Sequence, residues 1–468
     1  MVKYNFKTTK RKSLEMSKIH SKGGQDELIL RKLLWHIRGK KKKADFKGQL
    51  FLILCDSLKL HLNRKKELLM AKSVSPAFVA DAFFAGVGGI ERGFEQTGKV
   101  RIAYANEFDK NARKTYALNN PDTPLDGRDI HEVKAEELPD CDIMMGGFPC
   151  QAFSIAGYRK GFNDDRGDLF FEMLRMVQAK QPRVVFIENV KNLVTHDHGN
   201  TFKVIKEALV ENGYFVKWKV MNGKDYGNVP QNRERIYVVA FRYKNDFDAF
   251  EFPKPAPLTK TLHDVLDYHG KYDEKYYYRK GKQPFYDKLV PEITSQDTLY
   301  QWRRQYVRAN KSHVSPTLTA NMGTGGHNVP LMLTDSGEIR KLTPHETFML
   351  QGYPSSFKLP NDEANGQLYK QAGNSVVVPV IHRIAENIIK VISSQKGQGP
   401  KVPDGRYALI YTDMDSKYEG SSYMANRSND TDMLKQSISG STLLSDAEYL
   451  KLVQKKKRAI FYLIEDTE

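Results

Sequence analysis

The stretch Phe78–Gly98, FVADAFFAGVGGIERGFEQTG, decides how this chain is read. An apolar run ends in a cluster of glycines, Gly86, Gly88 and Gly89, and apolar residues then recur at helical spacing. It reads as a strand, a glycine turn and a helix. Glycines at such a turn let backbone N–H groups approach a ligand closely. The third glycine of the dinucleotide fingerprint is missing, and Glu91 holds its place. Alone the turn is a weak signal, and a tight turn with surface carboxylates beside it accounts for the same residues.

Outward from that turn the pattern repeats. Ile102–Phe108 reads as a second strand, Lys110–Asn120 as a helix ending in asparagines before Pro121, and Asp129 as the end of a third candidate strand. CDIMM (Cys141–Met145), Arg183–Val190 and Arg235–Phe241 follow as strands. The VVFI core of the second of these is a continuous apolar run, as expected of a strand buried on both faces. Alternating strands and helices predict an α/β fold with a doubly wound, mostly parallel sheet. Glu107 lies 21 residues after Gly86, the spacing at which a carboxylate reaches a ribose diol. A nucleoside-type cofactor without a pyrophosphate fits better than a dinucleotide.

Three further groups converge on the same sheet edge. GGFPCQAFS (Gly146–Ser154) puts Cys150 directly after Pro149, where a strand gives way to a loop. Open α/β sheets place their chemistry there, although a buried structural cysteine is the commoner use of a lone thiol. Glu188 ends the buried strand, poised over the same crevice; a local cap by Glu188 or Asn189 is the alternative. In QNRERIYVV, Arg233 and Arg235 alternate with Glu234 and Ile236, so both arginines face one way. Such a pair suits a phosphate or a polar base edge, or an exposed strand end with ion pairs.

Composition bounds the rest. The chain has 468 residues, 40% hydrophobic and 28% charged, which suits a soluble globular protein of two or three domains. No apolar run approaches a membrane span, LFLIL (Leu50–Leu54) being too short, and the basic N-terminus lacks the apolar segment of a secretory signal. Three cysteines make neither a disulfide framework nor a zinc cluster, so no metal is expected and a reducing cytoplasm is the simplest setting. The net charge of +17 is uneven: residues 1–75 hold 20 Lys and Arg against 6 Asp and Glu, and the remainder 53 against 50. A basic arm on a near-neutral body suggests a polyanion, foremost nucleic acid, or a solvated basic face.

The expected domains are a basic helical extension over 1–75, a catalytic and cofactor-binding domain over 76–244, a smaller irregular domain over 245–338, a return to the catalytic domain over 339–396, and a C-terminal extension over 397–468. In the last of these, YALIYTD reads as a strand and Ser445–Glu448 as a capping box. LTPHETFMLQGYP resumes the α/β texture, and NSVVVPVIHRIAENIIKVI reads as a strand followed by an amphipathic helix.

Taken together these motifs resemble the DNA (cytosine-5)-methyltransferases, in the motif order of the bacterial enzymes. FAGVGG resembles their S-adenosylmethionine loop, ANEFD the ribose strand, GGFPCQAFS the nucleophile motif, ENV the acidic motif and QNRERIY the arginine motif. RKLTPHETFMLQGYP and QAGNSVVVPVI resemble the last two blocks, and the likeness runs from Phe78 to Ile392. One departure is visible: the family's Asp two positions before the loop phenylalanine is Ala82 here, with Asp81 displaced by one.

The resemblance implies S-adenosylmethionine as methyl donor and C5 of cytosine in double-stranded DNA as acceptor, in a Rossmann-like fold. It implies Cys150 as the thiolate adding to C6, Glu188 at N3 and the exocyclic amine, Arg235 at the base carbonyl and Arg233 at a phosphate. The target base would be flipped out of the stack. Phe84, Gly86, Gly88, Glu107, Asp129, Ile130, Pro149, Leu169, Asn374, Ser375 and Val376 match the cofactor pocket. Ser154 and Arg166 match phosphate contacts in a glycine-hinged loop, Ser154–Asp168. Residues 245–338 fall where the family keeps its target recognition domain, with Arg303, Arg304, Arg308, Asn321 and Asn328 as base-reading candidates. A monomer paired functionally with a restriction endonuclease is expected. The rivals are an RNA cytosine-5 methyltransferase and a DNA-binding autoregulator acting through the basic arm.

Overall fold

The computed structural model describes residues 77–149, 169–323 and 328–394, together with the strands Leu409–Thr412, Ser422–Met424 and Ala459–Phe461. The basic N-terminal extension and the Ser445 capping box lie outside the described residues. So do Cys150, Ser154 and Arg166.

A seven-stranded sheet organises the chain. Its strands are β1 (Phe78–Phe83), β2 (Val100–Asn106), β3 (Leu125–Asp126), β4 (Ile143–Gly146), β5 (Val184–Val190), β6 (Phe215–Asn222) and β7 (Glu234–Phe241), in the order β3-β2-β1-β4-β5-β7-β6. The first five run parallel, β7 lies antiparallel to β5, and the outer β6 lies antiparallel to β7. The expectation of a doubly wound, mostly parallel sheet therefore holds. β6 went unread in the sequence, although Lys217 and Lys219 alternate with Trp218 and Val220 as a half-exposed outer strand should.

Helices α1 (Gly89–Glu95), α2 (Lys110–Asn119), α3 (Leu169–Lys180) and α4 (Asn200–Glu211) connect the strands. After α5 (Pro344–Met349) and α6 (Asn365–Asn374), the long α7 (Val378–Ser394) returns to the sheet. Its apolar stripe, Val380, Ile381, Ile384, Ile388 and Ile392, joins the main core. Gly93 lets α1 approach that stripe, because a Cβ there would lie 2.6 Å from the Cβ of Ile381. α5 begins at a capping box: Thr343 N–H donates to Glu346 Oε2 at 2.8 Å while Glu346 N–H donates to Thr343 Oγ1 at 3.2 Å.

Two local expectations are corrected. The third strand stops at Asp126, and Asp129 caps a 3₁₀ turn over Ile130–Glu132, its carboxylate accepting from His131 N–H. No strand forms at Ser375–Val378: α6 runs to Asn374 and α7 starts at Val378, with Pro379 in its first turn, where a missing N–H does no harm. The β-branched run there reads as a strand by propensity, but Val376, Val377 and Val378 are buried between the helices instead.

The smaller domain contains an antiparallel sheet of four short strands, β8 (Tyr300–Arg303), β9 (Tyr306–Ala309), β10 (Leu331–Leu333) and β11 (Ile339–Lys341), in the order β11-β10-β8-β9. Strands of three or four residues carry too little periodicity to be seen in sequence. The expected boundary after residue 338 cuts this sheet, since β11 pairs with β10. The C-terminal strands β12 (Leu409–Thr412), β13 (Ser422–Met424) and β14 (Ala459–Phe461) form a separate sheet, the first matching the expected YALIYTD strand.

The displaced Asp81 sits where the β1–β2 register shifts, between Ala80 and Asp81. It is fully buried, and burial pushes its carboxyl up to about 7, with the Cys141 thiol, Lys180 and Arg101 pulling it down only in part. The folded state thus keeps a proton that the unfolded chain releases near pH 3.8, so stability declines as pH rises from there to about 7. Asp81→Asn is expected to be more stable than wild type by roughly 2–4 kcal/mol at pH 8. The gap should close toward pH 4, as read by urea unfolding across that range; a gap independent of pH would refute the burial argument.

Candidate active site

The strand order reverses between β1 and β4, and the loops beyond their carboxyl ends wall a cavity of about 920 Å³. The β1–α1 turn forms one side. Phe84 (φ +55°), Gly86 (φ +56°) and Gly88 (φ +85°) all adopt left-handed backbone, which folds the chain back over the strand end. Glu107 ties this turn to the end of β2: its Oε2 accepts from Gly86 N–H and its Oε1 from Asp109 N–H, both at 2.7 Å. Burial raises the Glu107 carboxyl above the usual range, and these two amide bonds oppose the rise. Phe84, Gly86 and Glu107 face the cavity. Gly88 does not: a Cβ there would meet Asn120 at 2.7 Å and Tyr116 at 3.2 Å, so it shapes the turn from behind.

Asp129 and Ile130 line the cavity from the 3₁₀ turn, and Leu169 from the first residue of α3. Asn374, Ser375 and Val376 close it from the α6–α7 junction. That junction fits tightly on α1, because a Cβ on Gly89 would lie 2.8 Å from Val376 Cγ2 and 3.1 Å from Ser375 Oγ. Arg175 holds the Asp129 turn on α3, donating to the Val133 carbonyl at 2.9 Å and the Ile130 carbonyl at 3.2 Å.

The opposite wall is built by β4, β5 and β7. After β4 the chain runs through Gly147, Phe148 and Pro149, all on the cavity wall, toward Cys150. Asn189 fixes this approach: its Nδ2 donates to the Phe148 carbonyl at 2.8 Å. Glu188 faces the cavity with 7% of its surface exposed. Burial raises its carboxyl above the usual range, while Arg235 and then Arg233 draw it down. Arg235 Nε lies 3.2 Å from Glu188 Oε1 as an ion pair.

Arg233 reaches the cavity wall but is committed elsewhere. It is 1% exposed, and its guanidinium donates to the Leu318 carbonyl at 2.7 Å, the Gly373 carbonyl at 2.9 Å and the Ser375 carbonyl. Burial pulls it down to about 9, still charged at neutral pH. The expected phosphate contact does not suit a guanidinium enclosed by three backbone carbonyls; its geometry is that of a clamp between β7, the smaller domain and the α6–α7 junction.

Sequence reasoning missed several cavity residues. Phe108 follows Glu107, is 69% exposed and stands on the cavity wall; an aromatic beside the ribose-strand acid was the available signal. His196 faces the cavity with Nδ1 2.7 Å from Thr201 Oγ1, and Lys370 pairs with Asp109 at 2.8 Å. Nothing in their local sequence marks them. Arg303, Arg304 and Arg308 lie on the β8–β9 hairpin, away from the cavity wall. Asn321 sits in the 3₁₀ turn Ala320–Gly323, where Thr319 Oγ1 donates to its Oδ1 at 2.7 Å. Asn328 follows residues 324–327, which lie outside the described residues. Among the described residues no cluster of His, Cys, Asp and Glu could hold a metal, and no helix is long and apolar enough to cross a membrane.

Residues 79–390 match the family model of the C-5 cytosine-specific DNA methylases. The chain belongs to this family. Like its relatives it is a cytosine-5 DNA methyltransferase. It is 60% identical over 310 residues to the type II methyltransferase M.Bsp6I of Bacillus sp. (strain RFL6), spanning 66% of this chain and 98% of that protein. It is 40% identical over 327 residues to the type II methyltransferase M.SsoII of Shigella sonnei, spanning 66% of this chain and 80% of that protein. Among solved structures, a mutant of Spodoptera frugiperda DNMT2 shares the fold, with a TM-score of 0.52 at 18% identity, over 66% of this chain and 99% of that one.

For this methyltransferase the Arg233 clamp gives a direct expectation. Arg233→Met leaves three buried carbonyls short of a donor and should destabilise the fold by roughly 2–4 kcal/mol. Urea unfolding checks the size, and faster hydrogen exchange around Leu318 and Ser375 checks the place. An unchanged midpoint with unchanged exchange would assign the junction to apolar packing alone.

Proposed function

We propose that this chain transfers the methyl group of S-adenosylmethionine to C5 of a cytosine flipped out of double-stranded DNA, with Cys150 as nucleophile. The observation that carries the reading is one cavity: Glu188 and Arg235 face it beside the strand end leading to Cys150, across from the Glu107 turn.

The residues fit the cofactor. Glu107, held by two loop amides, offers its remaining lone pairs to a ribose diol. Asp129 is at hand for an exocyclic amine, the exposed face of Phe108 for an adenine, and no pyrophosphate cradle is needed. When bound, S-adenosylmethionine supplies an electrophilic methyl group. The chain's residues do the rest. Cys150 as thiolate adds to C6, and its electron pair makes C5 nucleophilic, as the aromatic ring alone is not. Glu188, whose carboxyl burial raises above the usual range, gives a proton to N3 as negative charge develops there. Arg235 holds Glu188 in place and reaches the base carbonyl. Once C5 carries the methyl group, a base takes the C5 proton, that C–H pair forms the C5–C6 double bond, the C6–S pair leaves with the Cys150 thiolate, and N3 returns its proton to Glu188, which restores the ring.

DNA is favoured over RNA because the smaller domain carries an exposed, arginine-bearing ribbon suited to a groove. The sequence recognised, a paired restriction endonuclease, a monomeric cytoplasmic enzyme and any operator binding through residues 1–75 belong to the same reading. Bisulfite sequencing of DNA from cells expressing the chain should reveal 5-methylcytosine in one fixed context. Duplexes carrying 5-fluorocytosine at that site should form a covalent adduct with wild type and none with Cys150→Ser; an adduct that survives the substitution would move the nucleophile elsewhere.

Two further outcomes follow from the electrostatics. A protonated Glu188 is the active form, so single-turnover rates should fall as pH rises through its elevated pKa. Glu188→Gln should lose that alkaline limb together with roughly 10²- to 10⁴-fold in rate. An intact alkaline limb in the variant would assign it to another group. Glu107→Gln turns an amide N–H toward one loop N–H and should raise the KM for S-adenosylmethionine at least about tenfold. DNA affinity measured without cofactor should not change, and a matching loss there would point to collapse of the turn.

A further inference from the structure

Helix α2 has the sequence KNARKTYALN, and only Ala112, Thr115 and Tyr116 of its ten residues are buried. A helix with so narrow an apolar stripe is weakly fixed by packing, so its position depends on polar contacts. At its N-terminus it carries one wall of the cavity. Asp109 caps it, Oδ1 accepting from Asn111 N–H at 2.9 Å. Arg113 Nη1 donates back to the Phe108 carbonyl at 2.7 Å and to the Glu107 carbonyl at 3.0 Å. The Glu107–Asp109 corner and the helix therefore move as one body.

What holds that body in place lies 239 to 261 positions further along the chain. Asn119 Nδ2 donates to the Lys358 carbonyl at 2.8 Å, and Asn119 Oδ1 accepts from Lys358 N–H at 2.9 Å. Lys114 Nζ lies 3.2 Å from carboxylate oxygens of both Asp362 and Glu363. Thr115 Oγ1 donates to Gln371 Oε1 at 2.7 Å, with both residues buried. Lys370 Nζ donates to Asp109 Oδ2 at 2.8 Å. One polar seam thus runs the length of α2, first along the loop between α5 and α6 and then along α6 itself. Lys370 and Gln371 stand on the cavity wall, as Asp109 does, and α6 ends at Asn374. That end is itself fixed, since Arg233 binds the Gly373 and Ser375 carbonyls. The seam hangs a loosely packed helix on an anchored one.

We infer that Lys370 and Thr115 are positioning residues for the cofactor: acting through Asp109 and Gln371, they set how far the Glu107–Phe108 wall stands from the Asn374–Val376 wall. The inference rests on the S-adenosylmethionine reading proposed above. A ligand that touches both walls binds best when their separation is set beforehand; otherwise part of its binding free energy goes into ordering the helix. The two ties differ in kind. Lys370 and Asp109 keep 46% and 31% of their side-chain surface in solvent, so salt screens their pair and its worth is small. The Thr115–Gln371 bond is buried and neutral, and salt leaves it alone. Gln371 Nε2 has no hydrogen-bond partner among the described residues, so Thr115 alone orients the amide. Thr115 is not on the cavity wall. Whatever its loss does to a ligand must pass through the seam.

The test uses the full chain without DNA, with binding of S-adenosylmethionine followed by calorimetry at about 50 and 500 mM salt. Lys370→Met should weaken binding roughly two- to fivefold at the lower salt and flatten the salt dependence that wild type shows. Lys370→Arg keeps the charge and the reach, and should restore both. Thr115→Val keeps the shape and loses the hydroxyl. It should weaken binding roughly three- to tenfold, by the same factor at both salts. In methylation assays Thr115→Val should raise the KM for S-adenosylmethionine by that factor and keep kcat, a split that a general loss of fold does not give. Amide exchange over Lys110–Asn119 reads the reciprocal effect: the cofactor should slow it in wild type, and less so in Thr115→Val. Either Lys370→Met or Thr115→Val binding the cofactor as wild type does overturns this inference alone, whatever its unfolding midpoint. So does a Thr115→Val protein in which KM is kept and kcat falls. A wild type that binds no S-adenosylmethionine overturns the cofactor reading and the inference with it.

Discussion

The structure depends on a reversal. Chain order runs outward from β1 through β2 to β3, then returns to the other side of β1 at β4. Loops leaving two adjacent parallel strands in opposite directions must separate, and the gap between them is a crevice that no side chain has to carve. The turn after β1, the acid at the end of β2, the Pro149 approach after β4 and Glu188 at the end of β5 all arrive at that gap. Strand direction alone brings together residues more than a hundred positions apart.

One buried cation then sets how the remainder of the chain meets this crevice. Arg233 directly precedes β7 and binds carbonyls of Leu318, Gly373 and Ser375, so its own segment, the smaller domain and the α6–α7 junction share one guanidinium. A planar, permanently charged fork serves this better than a lysine, because it satisfies several acceptors at fixed angles. The same loss of water that lowers Arg233 raises Glu188. Desolvation disfavours whichever form is charged, so a base and an acid move in opposite directions for one reason. Arg235, at the partly open end, balances Glu188 without neutralising it. Burial thus yields a carboxyl that holds its proton more readily than one in water, beside an arginine on the same cavity wall.

The motif residues were legible because their chemistry demands particular types at particular strand ends. Phe84, Glu107, Pro149, Glu188, Arg235 and Asn374–Val376 were named from sequence and line one cavity. What misled were local signals overridden by packing. Val376–Val378 has the propensity of a strand and is wedged between helices; Asp129 reads as a strand end and caps a turn; Gly88 looks like a ligand contact and serves Tyr116 and Asn120. Arg233 and Arg235 alternate as expected, but only their surroundings separate a clamp from a ligand contact.

By itself the sequence determined the α/β alternation, the family motifs and the set of polar groups at the strand ends, since hydrophobic period and residue chemistry are local properties. Tertiary structure alone decided that β7 inserts antiparallel between β5 and β6, that Arg233 is committed to backbone carbonyls, that Phe108, His196 and Lys370 join the cavity, and that Gln301, Arg303, Tyr306 and Arg308 share one face. Each of these turns on burial or on register between segments distant in the chain. A linear reading has no access to either, because both are set by which surfaces lose their water to one another.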